Sequence, residues 1–134
     1  MCGHGKGGVM SGEMSGRNKR KTGSDYELLA ARYLEAKGYR ILEHSFRCRS
    51  GEIDLIAWDP QGYLVFAEVK YRAGAAAGRP EEAVTPAKQR TISRVADYYR
   101  VRHQTDLSVP CRFDVIAIEK RTVRHYINAF PYAG

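Results

Sequence analysis

Three residues in the stretch Gly51 to Arg72, GEIDLIAWDPQGYLVFAEVKYR, have the types and spacing for chemistry: Asp54, Glu68 and Lys70. Two are carboxylates and one is an amine, and all three lie in segments that are otherwise apolar. An Asp-Pro-Gln-Gly turn signal at 59–62 separates segment 52–58 from segment 63–71, so the pair reads as a hairpin. With the turn there, residues whose numbers sum to about 122 face each other, which sets Asp54 opposite Glu68 and Glu52 opposite Lys70. Like charges directly opposite destabilise a sheet, and a divalent cation between two carboxylates offsets their repulsion. Hard ions such as Mg²⁺ or Mn²⁺ take oxygen ligands of this kind. Lys70, two residues beyond Glu68, shares its face, close enough to orient or deprotonate a water or to stabilise charge on a phosphoryl centre. Acid, acid and lysine around one ion is an arrangement for cleaving a phosphodiester. An E-x-K triplet alone is most often a solvated pair on an edge strand; the apolar surroundings, the facing Asp54 and the glycine-rich loop that follows, with Arg72 and Arg79 in it, weigh against that here.

Both hairpin segments are apolar on both faces, so helices or loops must cover each side. The run SDYELLAARYLEAKG predicts a first helix, with Ser24 as N-cap, Glu27 in the third helical position of a capping box, Leu28, Ala31 and Leu34 inward, and Gly38 as the C-cap. Residues 39–47 alternate as a strand with a slip of register near Glu43. After the hairpin, Pro86 opens a long amphipathic helix with Ile92, Val95, Ala96 and Tyr99 inward and Lys88, Arg90, Arg94 and Arg100 outward. Segments 112–119 and 122–130 read as two more strands. A helix between the third and fourth strands suits a right-handed crossover, which makes those two parallel. The expected fold is therefore α/β (α+β), a mixed five-stranded sheet flanked by helices in the order αβββαββ.

The chain of 134 residues is long enough for one core. Its 22 Lys and Arg against 15 Asp and Glu, net +7, with a pI near 9.5, favour a polyanionic partner, nucleic acid first and an anionic membrane surface second. Residues 1–22 hold five basic residues and one acidic, so much of that charge lies in a tail. Residues 1–23 have almost nothing to bury and read as a disordered basic tail, leaving residues 24–134 as the single domain. Three cysteines without paired spacing argue for a reducing compartment, and with no apolar run near the ~18 residues of a membrane span and no signal-peptide core the expected location is cytoplasmic. His103 and His125 lack a zinc spacing and read as surface or packing residues, and Tyr98 and Tyr99 as helix core.

Taken in order, GEIDLIA, VFAEVKYR, Lys88 in the following helix, RFDVIAI and the closing HYINAF resemble the YraN-type family of small uncharacterised bacterial proteins. That family is similar in its core to archaeal Holliday-junction resolvases and to the wider PD-(D/E)-x-K nuclease superfamily. The resemblance covers roughly residues 24–131 and implies a restriction-endonuclease-like fold with a Mg²⁺ or Mn²⁺ site. It casts Asp54 as the motif aspartate and metal ligand, Glu68 as the second ligand and Lys70 as the catalytic lysine. Resolvase-like members also use a glutamate from the first helix, a position Glu27 matches; for Glu27 the helix-capping role carries equal weight. Glu52 is either a further ligand or a partner of Lys70 or of a loop amide. Two departures stand out, Tyr26 where the family often has Gly and Ser45 where it often has Asn. The implied activity is that of a metal-dependent endonuclease on structured or branched DNA, a homodimer by analogy with two-fold junctions. A non-catalytic nucleic-acid-binding protein and an RNA-processing nuclease share the same fold and remain the alternatives. Arg72, Arg79, Lys88 and Arg90 are the candidates for backbone phosphate contacts.

Overall fold

The structure, a computed structural model, describes residues 19–71, 84–120 and 122–134, without the side chains of residues 19–24. These residues form α1 (Lys19–Ala36), β1 (Arg40–Cys48), β2 (Gly51–Trp58), β3 (Leu64–Tyr71), α2 (Pro86–Arg102), β4 (Cys111–Glu119) and β5 (Thr122–Phe130). The five strands make one sheet in the order β1-β2-β3-β4-β5. Strands β3 and β4 are parallel and the other neighbours antiparallel, so the mixed α/β architecture and the element order are those expected.

Apolar residues on both sides of the central strands require two cores, and there are two. On one face Ala30, Ala31 and Leu34 of α1 pack on Leu55, Ala67, Ile116 and Ile118. On the other, Ile92, Val95, Ala96 and Tyr99 of α2 pack on Ile53, Ile56, Phe66, Phe113 and Val115. No helix among the described residues is long and apolar enough to cross a membrane.

Helix α1 begins at Lys19, five residues ahead of the expected cap, so Ser24 lies inside it and the capping-box role read for Glu27 does not exist. Lys and Arg are good helix formers, and one Gly at position 23 costs only about 1 kcal/mol relative to Ala, so nothing in Lys19 to Thr22 stops the helix. Its buried stripe is Ala30, Ala31 and Leu34, whereas Leu28 is 46% exposed. Helix α2 starts as read, with Pro86 in its first turn and the Thr85 hydroxyl accepting from the Lys88 N–H at 3.2 Å. Gly51 opens β2 at φ +150° directly beneath α2; a Cβ there would lie 2.6 Å from Thr91 Cγ2.

The hairpin register of 122 holds from Trp58↔Leu64 to Leu55↔Ala67 and then stops. Beyond that pair the expected Asp54↔Glu68 and Glu52↔Lys70 partnerships do not form. Asp54 Oδ2 instead accepts the Val69 N–H at 2.8 Å, a side chain taking a ladder donor. Glu52 pairs across β1 with Arg47, Nε to Oε1 3.5 Å. Strand β1 carries the slip seen in its pattern, a bulge between Ile41 and Glu43, and a second irregularity at Ser45, φ +52°. There the alternation of β2 breaks as well. Ile53 belongs to the α2 core and Leu55, two residues on, to the α1 core, where regular pleating would put both on one face.

A buried polar cluster holds the other end of the sheet. Arg112 of β4 bridges Asp59 at 2.6 Å and Asp114 at 3.0 Å and donates to the Tyr39 hydroxyl at 2.7 Å. Asp114, fully buried, also meets His125 Nε2 at 2.7 Å and accepts the Asn128 N–H at 2.9 Å. Asp59 accepts the N–H groups of Gln61 and Tyr63, both at 2.8 Å, closing the turn that the sequence signalled. His125 is thus a packing residue with a specific partner, set edge-on to Tyr33 and Tyr39. His103 caps α2, its ring stacked over Tyr99.

Candidate metal and phosphodiester site

Among the described residues, each helix turns a charged side chain of its N-terminal half toward the sheet. In α1, Glu27 precedes Ala31 and Leu34 by four and seven residues and therefore points at the sheet as they do. In α2, Lys88 precedes Ile92 and Val95 by the same intervals. Lys88 was expected on the outward face; it is half-buried and reaches Glu68 Oε2 at 3.8 Å. Arg90 and Arg94 are outward as expected, while Arg100 is half-buried and donates to the Asp106 carbonyl.

The two helices so direct a carboxylate and an amine toward the place where the β2–β3 ladder ends. On the α1 side, carboxylate oxygens of Glu27, Glu52 and Asp54 all lie within 4.8 Å of one another. Ser45 Oγ donates to Glu27 Oε1 at 2.7 Å. The left-handed backbone at Ser45 turns its hydroxyl toward α1, a geometry that Asn adopts more readily than Ser. On the α2 side, Glu68, 6% exposed, is flanked by Lys70 Nζ at 3.4 Å and by Lys88.

Ionised carboxylates are disfavoured in this region. Burial, and then the charges of Asp54 and Glu52 working against the Ser45 hydrogen bond, push the Glu27 carboxyl up to about 7. Burial and the Asp54 charge push Glu68 up to about 7 as well, against the pull of Lys88 and Lys70. A set of three oxygen donors at this separation suits a hard divalent cation, which would offset both the burial and the mutual repulsion that raise these carboxyls.

Of the residues singled out in the sequence, Glu27, Glu52 and Asp54 come together, and Glu68, Lys70 and Lys88 form an adjoining group coupled to Asp54. Glu68 is not part of the close carboxylate group. Arg90 is exposed at the start of α2, and Arg72 and Arg79 lie outside the described residues. Ser45 was noticed only as a departure from a family pattern; its partnership with Glu27 was missed, and a small polar residue interrupting a strand was the available signal. The Arg112 cluster was also missed, although Asp114 is a charge inside the apolar run FDVIAI, the same kind of signal that singled out the hairpin.

Residues 26–118 match the uncharacterised protein family UPF0102. A UPF0102 protein of Lachnoclostridium phytofermentans is 48% identical over 117 residues, covering 87% of this chain and 98% of the relative. One from Symbiobacterium thermophilum is 52% identical over 100 residues, 75% of this chain and 83% of the relative. One from Geobacter sulfurreducens is 47% identical over 127 residues, 91% of this chain and 97% of the relative. Among solved structures, Pyrococcus furiosus SfsA in complex with Ca²⁺ aligns at a TM-score of 0.35 and 11% identity, covering 82% of this chain and 64% of that one.

Proposed function

This chain belongs to the uncharacterised protein family UPF0102, and we propose that it is a metal-dependent nuclease of restriction-endonuclease-like fold acting on structured or branched DNA. One observation carries the reading: Glu27, Glu52 and Asp54 converge within 4.8 Å beside a buried glutamate flanked by two lysines. Charged groups are costly in such surroundings, and carboxylates and lysines converging on the open end of a ladder have no packing purpose.

In this reading Glu27, Glu52 and Asp54 hold a Mg²⁺ or Mn²⁺ ion, with Glu68 as the adjoining ligand that the two lysines keep in place. The ion supplies charge stabilisation at the scissile phosphate and activation of water. Asp54 is fixed for its part by the Val69 N–H, and Glu27 by Ser45. Lys70 places a positive charge next to Glu68, where it can stabilise the developing negative charge on a phosphate oxygen or hold a proton for the leaving group. Lys88 orients Glu68, and Arg90, with Arg72 and Arg79, contacts backbone phosphates.

The experiment is incubation of the purified protein with four-way, flapped and linear DNA in Mg²⁺ or Mn²⁺. We expect cleavage of the branched forms, reduced by about a hundredfold or more in Asp54→Asn and Lys70→Ala. Cleavage that persists unchanged in both variants would sink the proposal. The second reading, a nucleic-acid-binding protein without catalysis, is favoured by the partners already taken up: Asp54 Oδ2 by Val69 and Glu68 Oε2 by Lys70 and Lys88. Metal-independent binding with no product distinguishes it.

A further inference from the structure

Tyr26 and Tyr71 are stacked, ring centroids 4.4 Å apart and planes 8° from parallel. Tyr26 immediately precedes Glu27 and Tyr71 immediately follows Lys70, so the stack is tethered within one residue of each half of the site. Tyr26 is the inner ring, packed against the α1 core; Tyr71 is the outer ring and is 45% exposed. The aromatic pairs Phe66–Phe113 and Phe113–Phe130, by contrast, are formed by buried rings inside the α2 core. Packing alone gives no reason to end a strand with an exposed tyrosine backed by a second one. An aromatic face fixed from behind is what a nucleobase stacks on, with little regard to sequence because every base has a π-face.

Bases inside an intact duplex are already stacked on both sides and offer no free face. A base at a flap, a nick or a branch point does. We propose that the Tyr26–Tyr71 stack receives one unpaired or end-exposed base of the nucleic acid, which gives the protein a preference for branched or flapped substrates over continuous duplex. The proposal rests on the proposed function for its ligand, a nucleic acid, and on the nuclease reading for the direction in which the strand runs, from the stacked base toward the carboxylates. The stacking itself does not require metal.

The test therefore uses the full chain in EDTA, where binding is read without cleavage. The probe is a flapped DNA with 2-aminopurine as the first unpaired base, compared with a fully paired duplex carrying the same base. Wild type is expected to quench the flap fluorescence and not the duplex fluorescence. Tyr71→Leu, which keeps bulk without a π-face, is expected to lose the quenching and about tenfold in flap affinity, and Tyr71→Phe to retain both. Duplex affinity is expected to be the same in all three proteins. Absence of quenching in wild type overturns the proposal, as does a Tyr71→Phe as weak as Tyr71→Leu or an equal loss on flap and duplex. Quenching without cleavage once Mg²⁺ is restored removes the nuclease reading and leaves the stacking platform standing.

Discussion

The conformation of a single residue, Ser45, decides how Glu27 meets the rest of the site. A non-glycine residue at φ +52° is uncommon, and Asn tolerates it better than Ser because its side chain bonds locally to the backbone. Ser45→Asn is therefore expected to raise stability by about 0.5 kcal/mol, and Ser45→Val, β-branched and without a donor, to lower it by about 2 kcal/mol. Urea midpoints measure both. Removing the hydroxyl also removes what holds the Glu27 carboxyl down against burial and the Asp54 charge, so Mn²⁺ titrated into Ser45→Val at pH 7 should bind more weakly than into wild type. Equal affinity would show that Ser45 plays no part in the site. At this scale Asp54, Glu68 and Lys70 were legible because charges are conspicuous on apolar strands. Glu27 was legible only as one of two roles, since the start of its helix decided between them. The turn of the backbone at Ser45 was not legible, because serine carries no mark of a left-handed conformation.

Among the elements, β2 runs close beneath α2 at its first residue. Gly51 lets the first residue of β2 pass beneath Thr91, with room for no side chain. Gly51→Ala should cost about 2–4 kcal/mol, from a methyl driven into Thr91 and from the strained φ. The double variant Gly51→Ala with Thr91→Ser, which deletes the opposing methyl, should recover part of that loss and leave the backbone component. Thermal or urea unfolding of the four proteins gives the cycle, and no recovery at all would mean that the contact is not the cause. The hairpin register could be read because the turn residues fix it. Where the ladder would stop could not, because counting residues from a turn assumes that every backbone donor stays with the opposite strand. Here Asp54 takes the Val69 N–H and the strands part at that point. In α1 the stripe was read one residue off at its charged end, with Leu28 inside in place of Glu27, and in α2 Lys88 was left off a stripe otherwise read as found, since only packing shows how far an apolar stripe extends.

Over the whole molecule, the two ends of the sheet carry buried charge of opposite consequence for stability. At the fastening end, burial pushes Asp114 and Asp59 up, but hydrogen bonds from His125, Arg112 and the backbone outweigh it and hold both carboxyls below their usual value. A carboxyl depressed in the folded state contributes stability that is present above its unfolded pKa, near 4, and is lost as pH falls through its folded value. At the site end the sign is reversed. Glu27 and Glu68, raised to about 7, bind protons in the folded state that the unfolded chain does not hold, so folding loses stability as pH rises from about 4.5 to about 7. The two trends together place maximum stability near pH 5, far below the isoelectric point of 9.5. Urea unfolding measured from pH 3 to pH 9 should show this maximum. Glu27→Gln should flatten the alkaline limb and be more stable than wild type at pH 8 by about 1 kcal/mol, a figure kept small because the group is partly solvated. Asp114→Asn should be less stable than wild type at pH 7 by about 3 kcal/mol and should flatten the acid limb, with Asp59 supplying the slope that remains. Under the metal reading, millimolar Mg²⁺ raises only the alkaline limb, and only while Asp54 and Glu27 are intact. A profile that rises steadily from pH 5 to pH 8 would mean that neither burial nor mutual repulsion raises the carboxylates of the site, and the physical case for a cation among them would be gone.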